Sequence, residues 1–217
     1  MNEVQRSKII LKILNQIYPK TPIFLKHRNK FTLLVSVLLS AQTTDVNVNN
    51  VTKNIYPKYN KPKHFVKLGR KKIEKLIKSI GIFRKKAKSV YLLSKQLIAN
   101  HGGKVPDNFE ELEKLPGVGH KTASVVMSQG FGHSAFPIDT HIHRLAQRWG
   151  LTNGKNVVQT EKDLKKLFPK KYWNKLHLQI IYYGRQYCKA RKCYGLTCKI
   201  CTTCYPNRKS PVKTLKA

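Results

Sequence analysis

Between residues 8 and 187 apolar positions recur every three or four residues. The stripe is visible in segments 8–18, 32–41, 73–80, 86–98, 121–131, 142–149, 160–168 and 174–187. No run alternates apolar and polar residues over a convincing strand length. Glycine, proline and asparagine separate the segments, as in HGGKVPDN at 101–108, FGHSAFP at 131–137 and LTNGKN at 151–156. The pattern predicts an all-α protein of about ten helices without an internal repeat. FTLLVSVLLSA at 31–41 is apolar on every side, which predicts a helix buried all round and too short to cross a bilayer.

Charge changes the picture. The 217 residues hold 43 Lys+Arg against 10 Asp+Glu, a formal net charge of +33, while hydrophobic residues make up 41%. The apolar share supports a folded core, and the basic residues are spread along the chain. Such a field repels itself, and its natural partner is a polyanion such as nucleic acid. The first residues, MNEVQRSKII, contain no apolar signal core, so the expected location is the cytoplasm with no membrane partner; a nucleoid-associated bacterial monomer is expected as well. In such a reducing compartment the five cysteines, all within 188–204, suit metal or cluster ligation better than disulfides.

The chemistry concentrates at LPGVGHKTA, residues 115–123, between the helical segments Phe109–Lys114 and His120–Phe131. Gly117 and Gly119 permit left-handed backbone and close approach, and the amides opening the next helix can donate to a phosphate oxygen. Lys121 then stands on the first turn, where an anion is more comfortable than a cation. The G-x-G spacing, with proline before and a cation behind, favours a helix–hairpin–helix that grips a nucleic-acid backbone over an ordinary helix–turn–helix connection with a solvated lysine.

LPGVGHKTA, preceded by LLSAQTTD at 38–45 and followed by PIDTHIHRLAQR at 137–148, resembles the endonuclease III family of DNA-repair glycosylases. The motifs keep the family's order and spacing, and the likeness runs from near the N-terminus to Cys188. It implies the helix–hairpin–helix glycosylase fold: a six-helix barrel over 22–133 with the hairpin at 109–131, and a cysteine-cluster domain from 1–21 and 134–204. Residues 205–217 are left as a flexible basic tail. By the same resemblance Lys121 is the catalytic lysine and Asp139 its carboxylate partner. Gln42 fills the stack vacated by a flipped nucleotide, and Ile82 wedges from the other side. Asp45 is a helix cap or holds water in the pocket. His141 and Arg144 contact phosphate or orient Asp139, and the KARK run brings Lys189 and Arg191 to the backbone.

These residue types suit the implied reaction. An amine can displace a base from C1′ and form an imine that permits β-elimination, which a hydroxyl cannot. A lysine of ordinary pKa, about 10.4, is protonated at neutral pH; desolvation, neighbouring cations and the helix N-terminus favour the neutral form, while Asp139 as a nearby anion opposes it. The implied substrate is duplex DNA carrying oxidised pyrimidines or abasic sites. Two alternatives remain: a related adenine-removing mismatch glycosylase, whose members lack this lysine and carry a further C-terminal domain, and a hairpin protein that binds DNA without cutting it.

The cysteine segment departs from the family. Members carry C-x6-C-x2-C-x5-C around a [4Fe-4S] cluster, whereas CKARKCYGLTCKICTTC has spacings x4, x4, x2, x2. Cys188, Cys198 and Cys204 fall at family offsets, but Gly195 stands where the second cysteine belongs. Either Cys193 or Cys201 replaces it, or the cluster is altered or absent. The preferred set is Cys188, Cys198, Cys201 and Cys204, because Cys198 and Cys201 keep a C-x-x-C bite. Four thiolates serve an iron–sulfur cluster or zinc equally, and spacing alone does not separate them.

Overall fold

The computed structural model describes residues 1–216, all helix and connection, and no strand occurs among them. The chain forms two compact units, Ile23–His133 and a second made of Met1–Pro22 with Ser134–Ala217. No helix among the described residues is long and apolar enough to cross a membrane.

The unit from Ile23 to His133 has six α-helices: α2 (Lys30–Ser40), α3 (Asp45–Thr52), α4 (Pro62–Leu76), α5 (Phe83–His101), α6 (Phe109–Glu113) and α7 (His120–Val125). The apolar run becomes α2. Every residue from Phe31 to Leu39 is buried, and Asn29 caps the helix by accepting from the Thr32 amide. Around α2 lie Ile55, Phe65, Ile73, Ile77 and Val90, meeting Val35 and Leu39 of α2 itself. Burying this set is the main source of the unit's stability, and removing a side chain such as Leu34 costs about 2–5 kcal/mol.

Two parts of this unit are not visible in the apolar pattern. In α4 the expected helix over 73–80 is only the second half. The first begins with Pro62 at its start, and Gly69, at φ 71°, breaks the helix between them. Its outward face is largely lysine, which hides the stripe. In α3, DVNVNNVT has poor intrinsic helix propensity, and only Val48 and Thr52 are buried. Thr44 starts that helix by accepting from the Asn47 amide, so the cap is Thr44, with Asp45 in the first turn.

The second unit holds α1 (Glu3–Ile17), α8 (Thr140–Arg148), α9 (Val157–Leu167), α10 (Trp173–Gln186) and α11 (Lys199–Cys204). Helices α8 and α10 approach closely because Gly184 has no side chain. A Cβ there would lie 3.3 Å from His141 and 3.4 Å from Leu145. Beneath them Trp149 and Tyr183 meet edge to face, their centroids 5.8 Å apart. Residues 205–216, expected to be flexible, are tied down at several points instead. Arg208 donates to the carbonyls of Arg148 and Gly195, the Val212 amide donates to Tyr194, and the Leu215 amide donates to Gln147. Composition hid this, because the tail is held by backbone and guanidinium bonds and not by an apolar stripe.

Candidate active site and thiolate centre

Helices α6 and α7 form a hairpin closed by short bonds. The Val118 amide donates to Leu115 and the Ala123 amide to Gly119. Across it Glu113 pairs with His120 at 2.8 Å, and the Phe109 ring stacks on the His120 ring. Gly117 is needed twice. Its φ is 83°, and a Cβ there would sit 2.8 Å from Ser89 on α5. Gly119 is extended and has open space around it, and no side chain caps the helix it begins. The start of α7 thus presents backbone amides without a side-chain cap. Lys121 is exposed on that first turn, and the helix passes directly into a π-turn, Val126–Gly130.

In the same unit Gln42 and Ile82 are exposed, and both are in left-handed backbone, at φ 54° and 51°. Non-glycine residues adopt that region at a cost and persist there where the surroundings hold them. Their loops meet: a Cβ on Gly81 would lie 3.6 Å from the Gln42 carbonyl oxygen.

The second unit carries Asp139 at the N-cap of α8. One carboxylate oxygen accepts from the Ile142 amide at 2.8 Å, and the other lies 3.3 Å from Nδ1 of His141. Arg144 reaches back to the cysteine segment and donates to the Cys188 carbonyl. Burial pulls its guanidinium below the ordinary arginine range.

The cysteine segment gathers Cys188, Cys193, Cys198 and Cys201, all buried, with their sulfurs within 4.8 Å of one another. The fourth member is thus Cys193. Cys204, expected from its family offset, lies outside the group, because α11 carries Cys201 and Cys204 three residues apart and Cys201 is the one among the other sulfurs. Burial pushes the Cys204 thiol up to about 11. Arg148, itself buried, donates to Cys188 Sγ at 3.4 Å and to the Lys189 and Ala190 carbonyls, while the Tyr183 hydroxyl accepts from the Ile200 amide. Gly195, at φ 84°, has no room for a side chain: a Cβ would lie 2.8 Å from Val212 and 2.9 Å from Arg208. Lys189 and Arg191 are exposed on the loop.

Residues 35–170 match the model of the HhH-GPD superfamily of base excision DNA repair proteins. Endonuclease III of Bacillus subtilis is 39% identical over 99% of each chain. That of Rickettsia prowazekii is 43% identical over 88% of this chain and 89% of its own. This chain belongs to the endonuclease III family. A solved structure of a trapped endonuclease III–DNA covalent intermediate superposes with a TM-score of 0.87 at 39% identity, covering 92% of this chain and 94% of that one. A thermostable thymine-DNA glycosylase shares the fold, with a TM-score of 0.81 at 23% identity.

Against this family background the structure groups the expected residues by unit. Gly117, Gly119, Lys121, Gln42 and Ile82 belong to the Ile23–His133 unit, and Asp139, His141, Arg144 and the cysteines to the other. Sequence reasoning missed Arg148, which clamps the cysteine loop, and Lys86, which is buried beside Gln42. Nothing in their spacing separates them from the many solvated cations of this chain.

Proposed function

We propose that the protein is a bifunctional DNA N-glycosylase and apurinic/apyrimidinic lyase that removes damaged pyrimidines from duplex DNA. The observation that carries this reading is Lys121, exposed on the first turn of a helix that begins without a side-chain cap and whose hairpin turn stands open at Gly119. A phosphate gripped by that turn brings the neighbouring sugar to the lysine.

In the proposed reaction the neutral Lys121 amine bonds to C1′ as the bond from C1′ to the base breaks, and the base leaves with a proton. The ring oxygen then accepts a proton as the sugar opens to an imine on Lys121. Loss of the C2′ proton expels the 3′ phosphate, and water hydrolyses the imine to release Lys121. Asp139 would stabilise positive charge developing on the sugar and accept the proton from the amine. His141, beside the second carboxylate oxygen, orients that group. Gln42 and Ile82 would enter the space left by the extruded nucleotide. His141, Lys189 and Arg191 would contact phosphate, and Arg144 would support the cysteine loop through the Cys188 carbonyl.

For the thiolate centre we propose a [4Fe-4S] cluster held by Cys188, Cys193, Cys198 and Cys201. The donor chemistry suits it: four buried thiols, with the Arg148 guanidinium donating to one sulfur. When bound, the cluster ties the segment 188–204 together and takes no part in a hydrolytic and eliminative reaction. One observation favours zinc as a second reading. Sulfur separations of 3.9 and 4.0 Å are close to those of four thiolates placed ~2.3 Å from a single tetrahedral ion.

The test is incubation of purified protein with a duplex containing one thymine glycol. The reading predicts free base and a strand cut 3′ to the lesion. Binding without either product supports the purely DNA-binding alternative.

A further inference from the structure

Lys86, in the first turn of α5, is only 3% exposed in a chain whose lysines mostly face solvent. Its Nζ donates to the carbonyls of Leu39 at 2.8 Å and Ala41 at 2.6 Å, and to the Thr43 hydroxyl at 3.0 Å. All three are neutral oxygens, and an ammonium has three donors to match them. Two of the acceptors belong to the C-terminal end of α2, where carbonyls lack helical partners and a cation is favoured.

The acceptors bracket Gln42, with Ala41 before it and Thr43 after it. The backbone amide of the same lysine donates to the Ile82 carbonyl. The Lys86 side chain therefore holds the Gln42 loop on both sides of its left-handed residue. That loop touches, at Gly81, the turn carrying left-handed Ile82, and the main-chain bond from Lys86 to Ile82 is the ordinary opening bond of α5. Burial lowers the Lys86 pKa from the ordinary lysine range. A buried ammonium is retained here because its removal leaves three oxygens without a donor.

We propose that Lys86 is a positioning residue that locks the Gln42 and Ile82 loops in the shape that enters the duplex and holds the damaged nucleotide out. This rests on the glycosylase reading and deepens it. Lys86 is assigned no contact with the substrate. It fixes two side chains that replace the extruded nucleotide, and it matters only where there is a stack to replace.

A ratio tests this. Single-turnover excision of thymine glycol is measured for wild type, Lys86→Met and Thr43→Val, on duplex and on single-stranded oligonucleotides. A single strand has no partner base to leave and little stack to refill. Lys86→Met is expected to slow excision from the duplex by about tenfold or more and from the single strand by less than about twofold. Thr43→Val, which removes one acceptor at the surface, moves the same ratio in the same direction by a smaller factor. Equal loss on both substrates, or no loss on the duplex, overturns the proposal. Should Lys86→Met fail to fold, the Thr43→Val ratio decides in the same way. Wild type that excises from neither substrate overturns the glycosylase reading itself, an outcome distinct from any altered ratio.

Discussion

Gly117 lies so close to Ser89 that a side-chain carbon on it would sit 2.8 Å from that residue's Cβ and Oγ. The hairpin turn is therefore seated on α5, and its shape is set by packing as well as by its own backbone.

Gly117→Ala should destabilise the protein by about 2 kcal/mol or more, combining backbone strain at positive φ with a clash. Gly119→Ala, extended and open to solvent, should cost under about 0.5 kcal/mol. Denaturant unfolding of both variants measures the difference. If the hairpin grips phosphate, Gly119→Ala should still weaken binding to undamaged duplex.

Asp139 serves as cap and proposed catalytic group, and these roles come apart on substitution. Asn also caps helices, so Asp139→Asn should leave stability within about 0.5 kcal/mol of wild type. Without the charge, base excision should fall by about a hundredfold. Asp139→Ala should lose about 1 kcal/mol as well. A thermal melt beside a single-turnover assay reads both effects.

The thiolate centre predicts an asymmetry among the cysteines. Cys193→Ser should lose bound metal, and Cys204→Ala should keep it, because only Cys193 lies in the sulfur group. Metal analysis of each variant decides this, and the metal found in wild type separates a cluster from a single zinc ion. Retention by Cys193→Ser with loss by Cys204→Ala would restore the set expected from the sequence, Cys188, Cys198, Cys201 and Cys204.

Much of this was legible in the chain. The run at 31–41 reads as a buried helix and is one, because a helix apolar on every side has nowhere to go but the core. LPGVG reads as a tight turn because glycine supplies the left-handed backbone a turn can need, and Gly117 uses it at φ 83°. The first half of α4 escaped because its lysines cover the stripe, and α3 because capping and packing override poor propensity. The fourth thiol escaped for another reason. Spacing along a loop does not say which sulfurs point inward, and only the fold brings Cys193 near Cys201 at 3.9 Å. Lys86 escaped because sequence cannot tell one buried lysine from its many exposed neighbours.

A chain of net charge +33 should bind DNA with strong salt dependence. Neutralising about 4–8 phosphates gives a log–log slope of about −4 to −7 on undamaged duplex. A slope near zero would mean that the basic surface does not face the backbone.

The central claim is that the Lys121 amine bonds to the sugar. Borohydride reduction during reaction with an abasic duplex, followed by peptide mass mapping, tests it most directly. The account predicts a reduced adduct on the peptide holding Lys121 and none with Lys121→Ala. An adduct on any other residue, or undiminished trapping by Lys121→Ala, contradicts it.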